Sequence, residues 1–286
     1  MIQLTNGDLA VSIQEKGAEL QSLQLNGLEY LWQANAAHWS KHSPVLFPIV
    51  GELKDGKYFF NNKEYKLSRH GFARDKTFEA EKTSPASAVF TLRSDEQTLA
   101  VYPFQFIFRI KYEIKDATLS CTYHVTNGGE HTMYFSVGGH PAFNVPLISG
   151  LKYTDYVLGF NDDENLYRYL LHKGLTGTET EKIQLDKRTL RLEPSLFYTD
   201  AIVLKHINSD EIKLYSNTDP HGLKFKFSNF PYFGIWAAVD APFVCLEPWF
   251  GIADSIHHDQ QLIHKEGINR LSPGESWQRT WSVELF

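Results

Sequence analysis

The chain has 286 residues, a net charge of −6 and 22% charged residues without a basic block. That length holds ample core, and the charge argues against a nucleic-acid partner, whose phosphates call for a cationic face. The first residues lack a basic segment followed by an apolar one, no apolar run approaches the ~18 residues that span a bilayer, and Cys121 and Cys245 alone build no disulfide framework. Together these predict a soluble protein of the cytoplasm with no membrane partner.

Alternation begins at once. Leu9, Val11 and Ile13 alternate with polar residues, and Leu20, Leu23 and Leu25 precede an Asn26-Gly27 hairpin signal. Ala36 to His42 reads as a short helical turn and Pro44 to Gly51 as a buried extended run. The plainest strand holds Phe104, Phe106, Phe108, Ile110, Tyr112 and Ile114. A turn at Lys115-Asp116-Ala117 leads into Leu119, Cys121, Tyr123 and Val125, and a further turn into Met133, Phe135 and Val137. This predicts an antiparallel meander whose third strand ends at His140. From 150 to 200 the pattern is looser, with one strand near Tyr156–Phe160 and a polar stretch through Thr178. Strands return at 201–204, 211–215 and 223–227. Phe233–Val239 and Phe243–Leu246 are more continuously apolar, as central strands are, and Trp281, Val283 and Leu285 close the chain. Many short strands, no long amphipathic helix and no linker predict an all-β protein, a large antiparallel β-sandwich or barrel over residues 1–286 as a single domain.

Three stretches set a titratable side chain among glycine, proline and aromatic residues: Arg69-His70-Gly71-Phe72-Ala73-Arg74, Gly138-Gly139-His140-Pro141-Ala142-Phe143 and Cys245-Leu246-Glu247-Pro248-Trp249. His140 and Glu247 each precede a proline, which restricts them to extended backbone. A carboxylate after the apolar 243–246 run is functional or paired, Arg69 and Arg74 being the available cations, and burial raises its pKa towards that of a useful general base. Two histidines and a carboxylate so placed suggest acid–base chemistry. Aromatics make up 14% of the chain; they serve a β core, and Trp249, Phe250 or Trp236 can also offer a ring to the apolar face of a pyranose. His38 and His42 lack the remaining residues of a zinc motif, His257-His258-Asp259 reads as a solvated loop, and no phosphate-binding glycine loop or Gly-x-Ser-x-Gly is present. No metal or other cofactor is expected.

Taken with Pro44-Val45-Leu46-Phe47-Pro48-Ile49-Val50-Gly51, these stretches resemble, in order and over nearly the whole chain, the aldose 1-epimerase (galactose mutarotase-like) superfamily, most closely its LacX-like branch. The resemblance implies a β-supersandwich and an isomerase that interconverts sugar anomers. It implies Glu247 as general base, His140 as general acid held protonated, and His70 as a second histidine that polarises the sugar; Arg74 and Asp200 would bind the sugar. Many relatives carry Arg after the Pro-Ile-Val-Gly run, where this chain has Glu52. The partner would be a small aldohexose; a homodimer is left open. A sugar-binding or sensing protein with little turnover and a hexose-6-phosphate mutarotase are the alternatives.

Overall fold

The computed structural model describes all of residues 1–286. Two large antiparallel sheets dominate it. The first has nine strands, ordered Thr189–Arg191, Tyr156–Phe160, Glu211–Ser216, Gly222–Lys226, Ser276–Leu285, Thr118–Asn127, Phe106–Lys115, Ser87–Arg93 and Glu79–Ser84. Its longest pairing is the hairpin Phe106–Lys115/Thr118–Asn127, unbroken from Phe106↔Asn127 to Lys115↔Thr118. Strict alternation in the sequence becomes strict alternation of burial there, because successive side chains point to opposite faces.

The second sheet has eight strands and carries the site. Seven run in the order Leu175–Gln184, Asn165–His172, Ile202–Lys205, Tyr232–Trp236, Phe243–Phe250, Val137–Gly139 and Val45–Leu46, while Ala142–Asn144 also pairs with Phe243–Phe250. Aromatic contacts knit the sheets face to face. Phe225 of the first sheet meets Phe233 at 6.1 Å and Phe143 at 5.9 Å between ring centroids, distances typical of edge-to-face packing. A smaller sheet of four strands, between Ile2 and Glu29, is added by the N-terminal residues.

Three sequence expectations need correction. The meander stops after two strands. Met133–Phe135 pairs with Asn269–Leu271, and Val137–Gly139 crosses to the second sheet between Phe243–Phe250 and Val45–Leu46. Alternation continues through that crossing, so it does not reveal which sheet receives each strand. Within the loose 150–200 region lies a long hairpin, Asn165–His172/Leu175–Gln184, with a bulge between Tyr169 and Leu171. Most of its residues are exposed or half-buried, so little apolar alternation marks it. His258 is not solvated: its side chain is buried beside Asp254, with Nδ1 3.3 Å from Oδ2. The one α-helix, Glu96–Val101, is capped by Asp95, whose carboxylate accepts from the Thr98 amide.

Candidate active site

Strand parity sets the face that carries the candidate site. Along Phe243–Phe250 the odd residues Cys245, Glu247 and Trp249 share one face and the even residues Val244, Leu246 and Pro248 the other. Loops cover the odd face, so residues 243–249 are all buried, which explains their near-continuous apolar sequence. Between those loops lies a cavity of about 360 Å³, inside the ~300–1,000 Å³ range of small-molecule sites. All six residues singled out in the sequence line it: Glu247, His140, His70, Arg74, Asp200 and Trp249.

At its floor His140 Nε2 lies 3.3 Å from Glu247 Oε2. The arginine partners open to Glu247 in the sequence are engaged elsewhere: Arg69 Nε donates to Glu52 Oε2 at 3.0 Å, and Arg74 Nη2 donates to the Arg69 carbonyl at 2.7 Å. Glu247 Oε2, His140 Nδ1 and Arg74 Nε are buried without a hydrogen-bond partner. Such groups carry a desolvation cost that a polar ligand can offset.

Burial drives the carboxyl of Glu247 well above the ordinary carboxylate range, as anticipated. The Trp249 indole N–H, close by but outside hydrogen-bond geometry, opposes this, and the charge of Asp200 adds to it. Burial also pushes His140 down to about 3, helped by the positive field of Arg74 and Arg69. The pair therefore rests as a carboxylic acid beside a neutral imidazole, the reverse of the expectation that His140 stands protonated. Desolvation disfavours both charges in this closed, ligand-free arrangement.

His70 is held by its backbone. Its φ of 68° lies in the left-handed region, where a non-glycine residue is uncommon. Hydrogen bonds on both sides maintain it: its N–H donates to the Gly51 carbonyl at 3.0 Å and its carbonyl accepts from Phe47 N at 3.2 Å. The Gly51 N–H donates to His70 Nδ1 at 3.1 Å. That bond requires a bare Nδ1, so the neutral ring carries its proton on Nε2 and acts as a donor. Burial, followed by His140 and the surrounding cations, keeps it neutral, well below the ordinary imidazole value.

An aromatic residue at the site is not legible in the sequence. Trp39 stacks on His140, with ring centroids 4.9 Å apart at 28°, while Trp236 meets the imidazole edge-on at 5.6 Å. Trp39 sits in a loop fixed by Glu19, whose Oε1 accepts from the His42 and Ser43 amides, and by Trp32 Nε1 donating to the Trp39 carbonyl. The only hint was its place before the 44–51 run. Among the rings proposed for stacking, Trp236 and Trp249 line the cavity, whereas Phe250 packs away from it against Trp277 and Arg279.

His140, Cys245 and Glu247 bring their ligating atoms within 4.8 Å of one another. Burial holds the Cys245 thiol well above its ordinary value, so it keeps its proton and offers a poor thiolate to a cation.

Comparison with known proteins fits this geometry. Residues 1–282 match the family model described as aldose 1-epimerase. The chain belongs to the aldose 1-epimerase family. Within that family it is 32% identical over 296 residues to the plasmid-encoded protein LacX of Lactococcus lactis subsp. lactis, covering 100% of this chain and 99% of LacX. It is also similar to the crystal structure of a galactose mutarotase related enzyme from Lactobacillus acidophilus, with 34% identity, TM-score 0.95, and coverage of 100% of this chain and 97% of the other. A galactose mutarotase-like protein from Lactobacillus casei ATCC 334 is 31% identical, with TM-score 0.92 and full coverage of both chains. The all-β sandwich is thus that of aldose 1-epimerases of the galactose mutarotase-like type. No helix is long and apolar enough to cross a membrane.

Proposed function

We propose that this chain is a single-domain, cofactor-independent isomerase that interconverts the α and β anomers of a free aldohexose in the cytoplasm. The observation that carries this reading is the buried Glu247–His140 contact, set in a sugar-sized cavity of an aldose 1-epimerase family member. Two buried free thiols, Cys121 and Cys245, accord with a reducing compartment.

The pair holds one labile proton between two atoms. Transfer from Glu247 to His140 gives a carboxylate and an imidazolium, and the sugar hydroxyls supply the polar partners that the empty cavity lacks. Glu247 then takes the proton of the C1 hydroxyl while His140 delivers its own to the ring oxygen O5. The C1–O5 bond breaks, its electrons pass to O5, and C1 becomes an aldehyde. Glu247 is now neutral acid and His140 neutral imidazole, the states that burial favours in the resting site. Rotation about C1–C2 and reversal of both transfers close the ring to the other anomer. His70, a fixed Nε2–H donor, polarises the sugar oxygen it faces, Arg74 and Asp200 bind hydroxyls, and Trp249 offers its ring. Each positioned proton transfer contributes ~10²–10⁴-fold.

Glu247→Gln tests the assignment. It is expected to abolish accelerated anomer exchange while sugar binding, followed by tryptophan fluorescence, is largely retained. Binding without exchange in the unmodified protein would instead favour a sensor.

A further inference from the structure

The mouth of the cavity contains a second electrostatic arrangement that acid–base chemistry does not use. Two guanidinium groups, Arg69 and Arg74, reach the cavity wall. Arg74 Nε is buried without a hydrogen bond and lies 3.9 Å from Asp75 Oδ2. Arg69 is engaged on two sides. Its Nε donates to Glu52 Oε2 at 3.0 Å, and its Nη2 lies so close to the turn of the Asn165–His172/Leu175–Gln184 hairpin that a Cβ on Gly174 would collide with it. A guanidinium recognises phosphate or carboxylate best through two parallel N–H donors, and the Nε/Nη2 edge of Arg69 is not free to do so. Glu52 itself lies outside the cavity lining. Arg69 is paired with Glu52 and Arg74 with Asp75, and Asp200 adds a further carboxylate to the wall.

We propose that Glu52 is a specificity-determining residue, which by holding Arg69 at the mouth tunes the cavity to uncharged sugars and against those carrying phosphate or carboxylate. The inference rests on the reading of the cavity as a sugar site. Removing the Glu52 charge frees the Arg69 Nε donor and takes one negative charge from the mouth. The gain for an anionic sugar is then about that of one charge-assisted hydrogen bond, roughly tenfold in affinity.

The experiment is a tryptophan-fluorescence titration with glucose, galactose, glucose 6-phosphate and glucuronate, using the unmodified chain, Glu52→Gln, and Glu52→Gln combined with Arg69→Gln. Glucose anomerisation is followed by polarimetry in parallel. The unmodified chain is expected to favour the neutral sugars. In Glu52→Gln the anionic-to-neutral affinity ratio should rise about tenfold, the rise should shrink with added salt, and it should vanish in the double variant. An unchanged ratio in Glu52→Gln, or a preference of the unmodified chain for the anionic sugars, overturns the role of Glu52 while accelerated glucose anomerisation leaves the enzymatic reading intact. No acceleration and no binding of any of the four sugars overturns both.

Discussion

At the scale of single residues, the site is built on placing a carboxylic acid and an imidazole in contact and out of water. Burial opposes both charges, raising Glu247 and lowering His140 to about 3, so the pair holds one proton across a wide pH window and titrates as a unit. The acid limb of kcat/KM reports the free enzyme. It is expected well below 6.5, towards about 3, and an acid limb at the ordinary imidazole value would contradict the proton count. The same burial sets a stability prediction. Glu247 has a raised folded pKa, so its contribution is full below the ordinary carboxyl value and declines as pH rises, because the unfolded chain releases a proton that the folded chain retains. Glu247→Gln, which mimics the neutral acid, should therefore be more stable than the unmodified protein at neutral pH. The two should converge in acid, as read from urea midpoints. Trp39 supplies a stacking face for His140; an imidazolium over an indole gains ~0.5–2 kcal/mol. Trp39→Ala should lower kcat several-fold and move the acid limb, whereas a purely structural role would leave the pH profile in place.

At the scale of elements, the Phe243–Phe250 strand brings Glu247 and Trp249 to the cavity, and its neighbours make room for them. Trp249 lies across glycines on both flanking strands. A Cβ on Gly138 would fall 2.8 Å from its Cδ1, and one on Gly234 would fall 2.5 Å from its Cζ2. Gly138→Ala or Gly234→Ala should displace the indole and weaken sugar binding about tenfold, with a stability loss of ~1–3 kcal/mol from overpacking, checked by fluorescence titration and urea unfolding. The Tyr232–Trp236 and Phe243–Phe250 strands are visible in the sequence as apolar runs because they are buried on both faces, and the Phe106–Lys115/Thr118–Asn127 hairpin because it is buried on one. The Asn165–His172/Leu175–Gln184 hairpin is not, since its residues face solvent on much of their length and local pattern reports burial rather than pairing. Its tip nevertheless supplies Leu171, Gly174 and Thr176 to the cavity.

At the scale of the molecule, two sheets pack face to face and the loops on the outer side of one enclose the cavity. A buried ion pair anchors those loops. Lys265 Nζ donates to Asp254 Oδ1 at 2.7 Å with neither side chain exposed, and Asp254 Oδ2 accepts from the Lys54 amide. Lys265→Ala would strand a buried carboxylate and should cost ~3–5 kcal/mol, measured by denaturant unfolding. That Glu247, His140 and His70 are candidates is legible because proline, glycine and aromatic neighbours single them out one by one, and all three line the cavity. That Glu247 would meet His140 rather than an arginine, and that Trp39 would cover it, depends on contacts between residues far apart in the chain, which spacing does not encode.

In the proposed reaction Glu247 and His140 exchange protons with a sugar to open and close its ring. The decay of optical rotation of freshly dissolved α-D-glucose and α-D-galactose, with and without the protein, tests it most directly. The account predicts faster decay for at least one sugar, lost in both Glu247→Gln and His140→Asn. Acceleration that survives either substitution, or no acceleration of either sugar by the unmodified protein, would contradict it.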